Sequence, residues 1–252
     1  MRRVTRILHV VKRSLFVAAC LLTAGAAVAS PPTPRSAPVV MLDAGHGGSN
    51  LGAAGVTGLH EKQLALILAT RVADRLRARG IAAQLTRTTD RTLTLRQRVA
   101  IADDLPADLF VSIHANASPT RTQHGYETYV LTARGLDVDG RALRSDTTTP
   151  RPGVPADVAL ILDDVERGAS QWEAAELAAR MQRALRDRRG PDGDRGVRQD
   201  AQHVLLGATM PAVLVEVGFI DHPLEGRQLA EPAVQSQLAE AITEAIADQL
   251  AD

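Results

Sequence analysis

Three short runs constrain this chain most: Val39 to Leu42 (VVML), Leu109 to Ile113 (LFVSI) and Ala212 to Val217 (AVLVEV) are apolar almost without alternation. A strand with one wet face alternates apolar and polar residues, whereas a continuous apolar strand has both faces covered. Between the runs lie helical patterns. Lys62 to Arg79 repeats apolar residues at Leu64, Leu68, Val72 and Leu76 and stops at Gly80. Leu93 to Asp104, Val158 to Arg167, Trp172 to Arg189 and Pro232 to Ala251 also read as helices. Ile81 to Thr86, Tyr126 to Leu131 and Val204 to Leu206 read as further strands, Thr132 to Pro155 as a long surface loop, and GPDGDRG as the end of the Trp172 helix. Alternation of this kind predicts an α/β fold: one domain with a mostly parallel sheet flanked by helices on both faces. In such sheets the working site lies at the carboxyl ends of the strands.

Charge divides the chain. The 29 basic and 29 acidic residues cancel, but the first 29 positions hold five cations (Arg2, Arg3, Arg6, Lys12, Arg13) and no acid. The remainder therefore carries 24 basic against 29 acidic residues. No basic excess is left for phosphate neutralisation, and six aromatics make a poor base-stacking platform, so no nucleic-acid partner is expected.

The cationic start followed by Ser14 to Val28 (SLFVAACLLTAGAAV) and Ala27-Val28-Ala29 has the form of a signal peptide cleaved after Ala29. The chain then divides into a leader (1–29), a Pro-rich linker (30–38) and one catalytic domain (39–252), exported to the periplasm or the cell wall. Two sub-readings stay open: Val17-Ala18-Ala19-Cys20 as a lipid-attachment box, and Arg2-Arg3 as a twin-arginine signal. Cys20 is the only cysteine, so the mature chain has no disulfide, thiolate metal site or cysteine nucleophile.

The chemistry-bearing residues collect at predicted strand ends. The first strand runs into Asp43-Ala44-Gly45-His46-Gly47-Gly48, the central one into His114-Ala115-Asn116, and the last contains Glu216. Glu61 opens the first long helix. Two imidazoles and one carboxylate form a borderline donor set that suits a single zinc with a position open for water. Glu216 lies inside VLVEVGF, where a charge is costly unless paired or functional, and is a candidate proton carrier. Taken singly, Glu61 also reads as a helix-start carboxylate and each histidine as a satisfied polar residue. Asp43 is expected either to orient a ligand histidine or to cap a turn, Asn116 to contact substrate or bridge backbone, and Arg87, Asp90 and Arg98 to form an ion-pair set. His60, His124, His203 and His222 are expected at the surface or satisfied, and Trp172 in the core.

Four blocks then carry a resemblance: DAGHGGSNLGAAGVTGLHEKQLAL, LTRTTDRTLTLRQRVAIAD, ADLFVSIHANAS and MPAVLVEVGFIDHP, in that order. They resemble the successive motifs of the zinc-dependent N-acetylmuramoyl-L-alanine amidases of bacterial cell walls, from about Val39 to the C-terminus. The resemblance implies a six-stranded sheet, His46, Glu61 and His114 as metal ligands, and Glu216 as the catalytic carboxylate. It also implies hydrolysis of the amide joining the muramic lactyl group to L-Ala of the stem peptide. A monomer acting on peptidoglycan is expected. Ala44 stands where that family usually has Pro, and Asp221-His222 where Asn is usual. Some members carry a helical plug after the fourth strand, released by an activator protein. Thr132 to Pro155 lacks helical periodicity, so no activator is expected to be required. A zinc carboxypeptidase acting on wall peptides, and a non-catalytic wall-binding relative, remain rival readings.

Overall fold

A computed structural model describes residues 37–131, 153–154, 156–200 and 203–251. The expected leader, most of the linker and most of the Thr132–Pro155 loop, with the question of a plug, lie outside these residues. The elements run β1 (Val39–Ala44), α1 (Glu61–Ala78), β2 (Ala82–Leu85), α2 (Leu95–Asp104), β3 (Leu109–Asn116), β4 (Tyr126–Leu131), α3 (Ala156–Arg189), β5 (Asp194–Asp200), β6 (Ala212–Phe219), α4 (Glu225–Ala230) and α5 (Pro232–Leu250). Six strands form one sheet in the order β2-β1-β3-β6-β4-β5. All neighbours are parallel except β4 and β6.

The continuous apolar strands follow from two cores. Val40, Leu42, Val111, Ile113, Val213 and Val215 face α1, α3 and α5, among them Leu64, Leu68, Val72, Leu76, Leu177, Met181, Leu238 and Ile242. Residues of opposite parity, Met41, Phe110 and Leu214, pack beneath Ala102 of α2 and Val204 and Leu205 of a single 3-10 turn. The second cover is thin, and thin cover leaves part of that face open for a cleft.

Local signals explain the helix limits. The four apolar residues read at four-residue spacing in α1 are all fully buried, each leucine contributing about 1.5–3 kcal/mol. Gly80 adopts φ 78° just past the helix end, as C-terminal glycines do. At α2 a capping box forms: Thr94 Oγ1 accepts from Gln97 N at 3.2 Å, and Gln97 Oε1 accepts from Thr94 N at 2.9 Å.

Four expectations need correction. Val158–Arg167 and Trp172–Arg189 belong to one 34-residue helix; Gly168 weakens a helix but does not stop one. Trp172 is 70% exposed instead of buried, because that helix presents Ala174, Leu177, Ala178 and Met181 to the core. Val204–Leu206 is no strand; His203–Leu205 forms the 3-10 turn. The remaining strand is β5, Asp194–Asp200, whose first residues belong to the Gly-rich segment expected to end a helix. It is an edge strand of sequence DRGVRQD with little apolar signal.

Candidate metal centre

The carboxyl ends of β1 and β3 and the start of α1 bring three donors together. His46 Nε2 and His114 Nδ1 each lie 2.9 Å from Glu61 Oε1. The three donor atoms all fall within 4.8 Å of one another, and the two rings meet edge to face at 5.0 Å. A tetrahedral zinc with bonds near 2.0–2.1 Å needs donor separations of roughly 3.3 Å; the two Glu61–imidazole separations of 2.9 Å are a few tenths short of that. Two neutral imidazoles and one carboxylate are the donor types that zinc accepts. The residues fit a metal.

Each donor is held from behind. His46 Nδ1 faces Asn50 Oδ1 at 3.0 Å, which leaves Nε2 for the centre. His46 itself has φ 58°, a left-handed conformation that costs a non-glycine residue energy and is retained where surroundings impose it. Glu61 is 5% exposed; its Oε2 accepts from Ala53 N at 2.8 Å and its Oε1 from Ala115 N at 3.2 Å. A Cβ on Gly45 would lie 2.4 Å from His114 Cε1, so only glycine admits that ring.

Behind the His46 loop stands a buried network. Asp43 accepts from Thr86 Oγ1 at 2.6 Å, Ser112 Oγ at 2.7 Å and Arg98 Nη1 at 2.7 Å. Arg98 also donates to Ala44 O at 2.7 Å and His46 O at 2.6 Å. Thus Asp43 touches neither histidine ring; it acts on the loop through Arg98. Arg87, 1% exposed, donates to the carbonyls of Ala44, Gly45, Thr89 and Lys62 and, among the described residues, pairs with no carboxylate. Asp90 instead pairs with Lys62 at 2.7 Å. The expected ion-pair set is therefore two pairs and a carbonyl clamp. Asn50, Thr86 and Ser112 carried no signal in the sequence, because short polar residues are common in loops and strands alike.

Glu216 on β6 is the register partner of His114 on β3. Its Oε2 is buried without a hydrogen-bond partner. Burial, then the negative charges of Glu61 and Glu127, push its carboxyl well above the usual range. Glu61 goes the other way: burial opposes ionisation, but hydrogen bonds from His114 and His46 outweigh it and hold the carboxyl well below its ordinary value. Two carboxylates with opposite shifts share one cleft, a pattern of functional sites.

His46, Glu61, His114 and Glu216 line one cavity of about 380 Å³ with Ala53, Leu95, Ala115, Asn116, Ala117, Val204 and Leu214. Asn116 is fastened at both ends: Oδ1 accepts from Ala117 N at 2.9 Å and Nδ2 donates to Glu127 Oε1 at 2.8 Å. Of the spare histidines, His60 precedes α1 and its backbone N–H donates to Gln63 Oε1 at 2.9 Å. His222 Nδ1 accepts from Leu224 N and Glu225 N, the centroids of the His222 and His124 rings are 5.7 Å apart, and the His203 side chain is outside the described set. Among the described residues no helix is long and apolar enough to cross a membrane.

The family described as N-acetylmuramoyl-L-alanine amidase matches residues 40–248. N-acetylmuramoyl-L-alanine amidase AmiA of Escherichia coli (strain K12) is 33% identical over 216 residues, covering 82% of this chain and 74% of that protein. The uncharacterized protein YqiI of Bacillus subtilis (strain 168) is 32% identical over 234 residues, covering 93% and 95%. The catalytic domain of CwlV, an N-acetylmuramoyl-L-alanine amidase from Bacillus (Paenibacillus) polymyxa var. colistinus, superposes with a TM-score of 0.65 at 30% identity, over 85% of this chain and 98% of that one. Fold, cleft and matches agree, and the chain belongs to the N-acetylmuramoyl-L-alanine amidase family.

Proposed function

We propose that this chain is an exported, monomeric, zinc-dependent amidase that hydrolyses the bond between the muramic lactyl group and L-Ala of peptidoglycan. The observation that carries the reading is the convergence of His46 Nε2, Glu61 Oε1 and His114 Nδ1 beside the partnerless Oε2 of Glu216. A wholly structural role for the four would leave that buried carboxylate unexplained.

Zinc held by His46, Glu61 and His114 supplies Lewis acidity toward water and the scissile carbonyl. Glu216 accepts a proton from the attacking water and returns it to the departing L-Ala amine, which leaves poorly unless protonated. The tendency of Glu216 to hold a proton suits the second transfer. Glu61, kept ionised by its imidazole partners, suits the ligand role. Asn50 holds the His46 ring while Arg87 and Arg98 hold its loop, so the His46 donor is oriented toward the centre before a metal arrives.

The 15 positions between His46 and Glu61 argue against the carboxypeptidase reading, whose His and Glu ligands stand a few residues apart. Retention of all four residues argues against a binding-only relative. Incubation of residues 30–252 with peptidoglycan, followed by mass analysis, tests the reading. Stem peptides with a free L-Ala N-terminus should appear, vanish with a chelator and return with zinc. Shortened stems with the lactyl amide intact would instead identify a peptidase.

A further inference from the structure

The centre does not end at Glu216. His114, Glu216 and Glu127 are register partners on three adjacent strands, β3, β6 and β4. Register partners project from the same face, so the three form a row across the sheet. On β5 the row is continued by two arginines. Arg195 Nε and Arg198 Nε donate to Glu127 Oε2 at 3.0 and 3.3 Å. Glu127 Oε1 meanwhile accepts from Asn116, which lines the cavity, and from Tyr129 Oη at 3.0 Å.

Glu127 is 2% exposed, so this is a built arrangement and not a chance surface pair. One carboxylate faces two guanidiniums, which leaves a surplus positive charge on that side of the cleft. Both arginines meet Glu127 through Nε and not through the paired terminal nitrogens that grip a carboxylate in bidentate fashion. Arg195 is further fixed over the Phe219 ring, 5.0 Å from its centroid, and by Gln123. The Arg198 side chain is 49% exposed and pairs in register with Tyr129, on the cleft side of the sheet.

We infer that Arg198, seconded by Arg195 and set by Glu127, binds a free carboxylate of the stem peptide and so makes the peptide leave the metal toward the β5 edge. This rests on the amidase reading above. The glycan offers no carboxylate, since the muramic lactyl carboxyl is the one tied up in the scissile amide; the stem peptide does carry free ones. Two strand spacings separate Glu216 from β5, roughly 10 Å, which two to three extended residues span. The subsite therefore reads acidic groups near the start of the stem. The residues after position 29, with 24 basic against 29 acidic side chains, offer a carboxylate no bulk attraction, so affinity for one must come from a local cationic contact.

The test uses the purified zinc-loaded protein and two muropeptides that differ only in whether the stem carboxylates are free or amidated. Wild type should favour the free acid about tenfold in kcat/KM, mostly through KM, the ordinary effect of a charge-assisted contact. In Arg198→Ala the ratio of the two values should fall to about one, and Arg198→Lys should restore part of it. Calorimetric titration of the released stem peptides, acid against amide, should show the same preference and loss without turnover. Equal handling of both substrates by wild type, or a ratio unmoved by Arg198→Ala, overturns the inference and leaves the amidase reading standing. Failure of wild type to cleave either substrate overturns both.

Discussion

Glu216 is the residue whose energetics and chemistry pull apart. Its folded-state pKa lies above that of an unfolded glutamate, about 4.3, so below that pH both states are protonated and the site costs nothing. As pH rises through the interval up to the folded value, the unfolded state releases its proton first. Metal-free protein should therefore lose stability across that interval. Glu216→Gln should flatten that slope and raise the melting temperature of metal-free protein at pH 7, while turnover falls by about 10²–10⁴-fold. Metal content, measured by elemental analysis, should be unchanged. A variant that keeps the wild-type slope, or substantial activity, removes Glu216 from the role. Gly45→Ala tests the other side of the centre: its Cβ would press on the His114 ring, and zinc affinity should drop about 10–100-fold.

At the scale of elements, β1 matters for what it carries at its end. Asp43 is fully buried and holds Arg98 against the His46 loop. Asp43→Ala would leave Arg98 buried without its counter-charge, costing about 3–5 kcal/mol in urea unfolding. A loss below about 1 kcal/mol would mean that the carbonyls of Ala44 and His46 suffice for Arg98. The long helix α3 gives the opposite case. Trp172→Ser should change stability by no more than about 0.5 kcal/mol, since the side chain is exposed. Periodicity identified the apolar helix α1 and the central strands because burial on one or two faces writes itself into the pattern. It missed β5, where pairing rests on the backbone of β4 and on arginines reaching Glu127, and it divided α3 at a glycine that packing tolerates.

For the whole molecule, the cleft is the place where α2 and one 3-10 turn stop short of covering the sheet. A metal held there would couple to folding, because its candidate donors lie just after β1, at the start of α1 and on β3. Chelation should lower the melting temperature and zinc should restore it, with stabilisation approaching about 4 kcal/mol at a thousandfold excess over Kd. Absence of any shift would mean that the three donors do not hold the ion. The apolar face against α3 and α5 should be indifferent to metal, and hydrogen exchange would resolve it from the cleft face.

Sequence alone determined the α/β class and nominated His46, Glu61, His114 and Glu216 at predicted strand and helix ends. Apolar continuity and a charge in an apolar strand are local properties, legible wherever they occur. Tertiary structure decided which nitrogen of each histidine faces the centre, that Asp43 works through Arg98, and that Glu127 joins the row ending at Arg198. These depend on register between strand residues 13 to 102 positions apart, as between His114, Glu127 and Glu216. No local pattern encodes which residue of one strand stands opposite which residue of another; the sheet settles it by burying both faces at once.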